Sequence, residues 1–364
     1  MPDLVAPDAE APSIAAWNRA LAEPNLEDAR IAHALAPLAR VPGLARVETT
    51  YRQRFRLKSW QYMTASSDEL FVAFVVGTAG FASNGFCYAV ELATGRVHQR
   101  FAITPLSIGT ELAPSSTHGE HRFATRKLGV AIANHDGGRR FTAQLAATTT
   151  EGARVAGELE FASRAGDDHL SVCVPLPGGR WNYTHKFAAF AVRGALTISS
   201  PSTGPSAGRP RDLRAGGDRR FVFDPERAYG TLDFTKMYAL RHAIWRWVAL
   251  AGRSKRGARI GLNLVDPTPD APISENALWI DGRCEPVRDV HLVAERGGWR
   301  IEAASIDLTM RPLARVEQRL DIPLVRHQLR HVVGAFSGHV RTASGHVHDL
   351  ENVVAIAEDW DTWW

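Results

Sequence analysis

From Val47 onward, apolar and polar positions alternate in short runs. VETTYRQRFRLKSWQYMTA, ELFVAFVVGT and GFCYAVELATGRVHQRF are broken by SSDE, TAGFASNG and ATGR. A period of two puts every second side chain on one face of a sheet, and the interruptions carry the residues that turns need. The same texture runs through RKLGVAIANHDGGRRFTAQLAATTT, VAGELEFAS and LSVCVPL. NHDGGR predicts a hairpin, because Asp-Gly supplies the positive φ of a tight turn. Then comes SSPSTGPSAGRPRDLRAGGD (199–218), rich in Ser, Pro and Gly, which predicts an inter-domain linker or a long loop.

Beyond it the strands resume in RIGLNLV, ENALWIDGRCEPVRDVHLVAE, WRIEAASIDLTMRP, RHVVGAFSGHVRTA and GHVHDLENVVAIAE. Many short strands at regular spacing predict antiparallel β-barrels or sandwiches. Only residues 14–45 differ: they are Ala/Leu-rich with helical spacing, cut by Pro24 and Pro37 into short helices. The predicted organisation is a helical extension over 1–46, a first β-barrel domain over 47–198, the linker, and a second β-barrel domain over 219–364.

Composition narrows the function. Hydrophobic residues make up 45% of the 364 and charged residues 23%, as in an ordinary globular protein. The net charge is only +4 and RSKRGAR (253–259) is the one short basic run, so no stripe for nucleic acid is present. Cys87, Cys173 and Cys284 are far apart and odd in number, which fits neither a disulfide framework nor a CxxC metal pair. The N-terminus MPDLVAPDAEAPS lacks the basic and apolar regions of a signal peptide, and no apolar run approaches the ~20 residues that span a bilayer. These features predict a soluble, cytoplasmic protein.

No GxSxG, GxGxxG or GxxxxGK[ST] occurs, so serine hydrolysis, nicotinamide-dependent redox chemistry and phosphoryl transfer lack their motifs. His346 and His348 share a strand face and invite a metal, but no third ligand can be placed; the expectation is no metal and no cofactor. In YTHK (183–186), Tyr183 reads as a hydrogen-bond donor and Lys186 as an anion holder. The competing reading is a barrel-rim tyrosine beside a snorkelling lysine.

The most unusual stretch is TLDFTKMYALRHAIWRWVALAG (231–252), which sets Asp233, Lys236, Arg241, His242 and two Trp in an apolar frame. Read as a strand, one parity groups Arg241, Ala243, Trp245, Trp247 and Ala249, a suitable cavity wall; a helical reading groups Tyr238, Arg241 and Trp245. Either reading puts Arg241 on the face of Trp245, where it can stack and grip an oxyanion. In SENALWIDG (274–282), Glu275 and Asn276 point to opposite sides of a strand. A buried carboxylate at Glu275 calls for a cation, for which Arg241 and Lys236 are the candidates.

These segments resemble the bacterial domain-of-unknown-function family 2804. The matching positions are Asp233, Thr235, Tyr238, Arg241, Trp245, Trp247, Gly261, Asn263, Glu275, Asn276, Ala277, Trp279, Asp281 and Gly282. Phe234 replaces the family's usual Tyr, and in the closing AEDWDTWW, Trp360 stands where the family's Glu-x-His ending has His. SWQYMTASSDELFVAFVVGTAGFASNGFCYAVELATG, PGGRWNYTHKFAAFAVRG and VVGAFSGHVRTASG look like the same family. More remotely the chain is similar to double-lipocalin proteins, among them carotenoid hydratases, tocopherol cyclase-like enzymes and lipocalin-type Diels–Alderases.

The resemblance implies a mostly β fold of two antiparallel lipocalin-like (calycin) barrels and cofactor-free chemistry on a hydrophobic small molecule. The leading expectation is a lyase, hydratase, isomerase or cyclase. Its acid–base groups would be Asp233 and Glu275, with Tyr238 and His242 as secondary donors and Arg241 as anchor. Trp60, Tyr183, Trp245, Trp247, Asn263, Asn276 and Trp279 would contact the ligand. One rival is a non-catalytic carrier; another is that Asp233, Arg241 and Glu275 form only a structural network.

Overall fold

A computed structural model describes residues 57–113, 115–176, 180–200, 217–238, 240–266, 274–322 and 325–363. The expected helical extension over 1–46, and 201–216 of the expected linker, lie outside them. Thirteen strands form the first sheet. They are β1 Leu57–Ser66, β2 Leu70–Thr78, β3 Ala82–Glu91, β4 Arg96–Pro105, β5 Thr110–Glu111, β6 Gly119–Ala124 and β7 Leu128–His135. β8 Arg140–Thr148, β9 Arg154–Ala162, β10 Leu170–Leu176, β11 Arg180–Ser199, β12 Arg219–Phe223 and β13 Tyr229–Tyr238 complete it.

Nine strands form the second sheet. They are β14 His242–Arg253, β15 Arg259–Asp266, β16 Ala277–Ile280, β17 Arg283–Pro286, β18 His291–Glu295, β19 Gly298–Ala303, β20 Ile306–Ile322, β21 Val325–Arg341 and β22 Val347–Trp363. All pairings are antiparallel, and the Asp136-Gly137 hairpin joins β7 to β8 with φ of 53° and 66°. Among the described residues no helix is long and apolar enough to cross a membrane.

The sheets do not divide at 199–218. β12 pairs with β11, so that run connects two partners of one sheet, and β13 is inserted between β1 and β11. The chain passes to the second sheet between Tyr238 and His242. The Ser/Pro/Gly composition marks a break in the strands, which a linker and a loop share; only pairing tells them apart.

Both sheets curl over their own cores. In the first, Gly85 of β3 lies under Phe123 of β6, where a Cβ would come within 2.4 Å of the ring. A third apolar layer fills the space between the sheets, with Tyr62, Phe86 and Tyr88 from one and Trp247, Leu329 and Ile356 from the other. Strand β2 therefore buries both faces, and its sequence LFVAFVVGT has no polar side chain before the closing Thr78. Strand β7, with one covered face, alternates buried and half-buried residues. The sheets approach closely at Gly261, where a Cβ would stand 2.6 Å from the Ala188 Cβ and 2.8 Å from its carbonyl oxygen.

Candidate functional site

At one end of the middle layer the sheets part around a crevice of about 310 Å³. Register explains which side chains reach it. Tyr62, Asp233 and Lys186 lie directly opposite one another on β1, β13 and β11, and one step along stand Trp60, Thr235 and Thr184. The alternate residues Met63, Leu232, Phe234, Tyr183 and Phe187 point into the first sheet's own core. On β14 the odd positions Ala243, Trp245 and Trp247 line the crevice, while Val248 and Leu250 enter the second core.

A buried charge cluster closes one wall. The Lys186 ammonium is 2.6 Å from Asp233 Oδ1 and 2.9 Å from Glu275 Oε2. Burial alone would lower the Lys186 pKa, but the two carboxylates outweigh it and hold the pKa above its ordinary value. Asp233 also accepts from the Thr235 hydroxyl at 2.9 Å and the Trp60 indole N–H at 3.2 Å. Glu275 has a lighter hold: among the described residues its side chain has the Asn182 amide at 3.4 Å besides the lysine. Asp233 thus takes three donors, and Glu275, held by Lys186 and Asn182, takes two.

The opposite wall carries a third carboxylate. Glu358 accepts from the Trp245 indole at 2.7 Å and lies 2.5 Å from His331 Nε2. His331 Nδ1 shares a 3.0 Å hydrogen bond with the Tyr88 hydroxyl, so this chain crosses from one sheet to the other. Trp245 stacks on Trp360 at 4.6 Å between ring centroids, and Trp60 lies nearly parallel to Trp245 at 6.4 Å. His327 packs edge-on against Trp360, and burial lowers its pKa to about 4.

The expected site residues separate into two groups. Asp233, Glu275, Trp60, Trp245, Trp247 and His242 line the crevice. His242 sits at its edge, paired with Asp361 at 2.8 Å and stacked on Trp363. Arg241 is exposed at a bend before β14 and does not line the crevice, so it shares no wall with Trp245; the strand begins one residue too late to carry it. The cation found on Glu275 is Lys186, where Arg241 and Lys236 were the candidates. Lys236 has the parity of Phe234 and acts on His121 inside the first sheet. The Tyr238 side chain lies outside the described residues.

Four expected ligand contacts stand away from the crevice. Tyr183 is buried against Phe234 in the first core. Asn263 supports the wall from behind, accepting from the Trp247 indole at 2.8 Å and donating to the Glu275 carbonyl at 2.9 Å. Asn276 binds the Val265 backbone through both ends of its amide, at 2.6 and 3.1 Å. Trp279 is fully buried in the first core and donates to the Asp168 carbonyl at 2.7 Å. Of the motif SENALWIDG, Ser274 and Glu275 line the crevice, while Trp279 and the turn that follows it dock the second sheet onto the first.

Sequence reasoning missed Lys186 as the hub, and with it Tyr62, His331 and Glu358. Parity along YTHK separates Lys186 from Tyr183, but nothing local says which parity faces a cavity. Among the described residues no three His, Cys, Asp or Glu side chains converge on a metal-sized site; His346 and His348 are ring against ring at 4.7 Å.

The family described as a domain of unknown function (DUF2804) matches residues 37–364. The chain belongs to that family. No curated protein matches it. Among solved structures it is similar to CghA, with 14% identity and a TM-score of 0.54 over 83% of this chain and 87% of that one. A structure of CghA with Sch210972 gives 13% identity and a TM-score of 0.53, covering 84% and 87%. Kievitone hydratase from Nectria haematococca gives 10% identity and a TM-score of 0.49, covering 82% and 88%. The likeness to CghA shows the fold, which is the two-domain lipocalin-like arrangement of two curled antiparallel half-barrels.

Proposed function

We propose that the crevice performs cofactor-independent acid–base chemistry, of the hydratase, lyase, isomerase or cyclase type, on a lipophilic small molecule such as a terpenoid, polyketide or lipid. The observation that carries this reading is the convergence of Asp233 and Glu275 on one buried ammonium at the edge of an indole-walled crevice. Adding water to a carbon–carbon double bond, or removing it, needs a proton delivered to one carbon and withdrawn from an oxygen. Glu275 is the group placed to move that proton. Lys186 and Asn182 orient it, and Asp233 keeps Lys186 charged and fixed. The indoles of Trp60, Trp245 and Trp247 exclude water and favour positive charge developing on the substrate. The similarity of fold to CghA, which has been solved with Sch210972, supports a small-molecule ligand.

The test begins with mass spectrometry of an organic extract of the purified protein. Incubating the protein with the extracted compound should yield a product of equal mass or one differing by water. Glu275→Gln should slow this by about two to four orders of magnitude with ligand binding nearly unchanged, the usual worth of general acid–base catalysis. Binding without any turnover in the wild-type protein would make it a carrier.

A further inference from the structure

The fixed charges of the crevice do not balance. Among the described residues its wall holds three carboxylates, Asp233, Glu275 and Glu358, against one ammonium, Lys186, and no guanidinium. Two negative charges are left over, and one persists even with His331 protonated. The other two wall histidines do not offset it: burial keeps His327 neutral near pH 7, and His242 is already paired with Asp361. A carboxylate brought into this space meets like charge with little water to screen it.

Two further features point to the same ligand. The Ser59 hydroxyl and the Asn182 amide oxygen are buried atoms of two crevice-lining residues, and neither has a hydrogen-bond partner among the described residues. Both accept hydrogen bonds. The protein itself already sets a cation on an indole here, with the Lys186 ammonium 5.7 Å from the centre of a Trp247 ring. Resting on the reading of the crevice as the ligand site, we infer that it selects apolar molecules bearing a positively charged nitrogen and rejects fatty-acid-like carboxylates. The ammonium would face Glu358 and the indoles of Trp245 and Trp360, with its chain along the apolar wall.

Three probes of equal chain length test this: decylammonium, decanol and decanoate, each below its micelle-forming concentration. Binding is followed by calorimetry and tryptophan fluorescence. The ammonium should bind about tenfold more tightly than the alcohol, the worth of one cation–indole contact, and decanoate should bind most weakly. Gln318→Lys adds a positive charge to the crevice wall away from the buried network, and should erase most of that preference while sparing decanol. Glu358→Gln should do the same, with thermal melting confirming that it folds.

Equal affinity for ammonium and alcohol, or tightest binding of decanoate, would overturn the charge selection and leave the crevice as a binding site. A preference unmoved by either variant would place the cation elsewhere and overturn it too. Failure of all three probes to bind would overturn the inference and the ligand-site reading together.

Discussion

Two buried charge clusters tie the first sheet to the second, and they are built on opposite plans. Arg259 of β15 grips Asp167 of the first sheet with two bonds of 2.7 and 3.0 Å. Asp167 also accepts from the Arg164 backbone at 2.8 Å, and Gly282 lies so close that a Cβ there would overlap its carboxylate. Charges match one to one, the planar fork fits the carboxylate, and no space remains. At Lys186 one ammonium serves two carboxylates from the two sheets, and the cluster opens onto about 310 Å³. A closed, matched pair is a staple. An open, unmatched one keeps a charge available to whatever enters, and on that contrast the site assignment rests.

The sharpest way to break the comparison is to remove each cation. Arg259→Met leaves Asp167 charged in a space too tight for water. Its cost should lie at the upper end of the roughly 3–5 kcal/mol for orphaning a buried charge, read from urea unfolding. Lys186→Met should cost less, toward the lower end of the same roughly 3–5 kcal/mol range, because Asp233 and Glu275 can share a proton in place of the lysine.

The two costs should also differ in their pH dependence. The folded-state pKa of Lys186 lies above its ordinary 10.5. Its contribution is therefore complete below 10.5 and is lost as pH rises through the folded value. The stability gap between wild type and Lys186→Met should narrow above that point. The gap for Arg259→Met should hold over the same interval, since the Asp167 carboxylate holds the Arg259 pKa above its already high ordinary value. Parallel curves for the two variants would erase the distinction between staple and site.

How much of this was legible from sequence follows from the reach of each signal. Alternation along β7 and the Asp-Gly turn at 136–137 are local, and they predicted strand and hairpin. The continuous apolar run of β2 also read as a strand, but its cause, a second packed layer on the outer face, is a property of two sheets. For β14 the odd positions were marked as a wall by their indoles. Arg241 was grouped with them because parity does not reveal where a strand begins. Trp247 and Trp279 read alike, as motif indoles; one faces the crevice and the other a core, because β16 reaches across to the first sheet. Glu358 and His331, 27 residues apart, meet only through the β21–β22 register. No spacing rule connects them.

Those two indoles give the gentlest test of the same contrast. Trp279→Phe keeps a ring in the core but takes a buried N–H from the Asp168 carbonyl, which should cost about 1–3 kcal/mol and leave crevice ligands unaffected. Trp247→Phe removes the N–H that holds Asn263, whose amide in turn holds the Glu275 backbone. Its stability cost should be about the same, roughly 1–3 kcal/mol, because Asn263 is buried behind the wall and loses its donor, so unfolding alone does not separate the two indoles. The difference should appear in affinity for the decyl probes and in turnover, since the Glu275 carboxylate loses its fixed position. A Trp247→Phe protein that binds and turns over like wild type would make that indole as structural as Trp279.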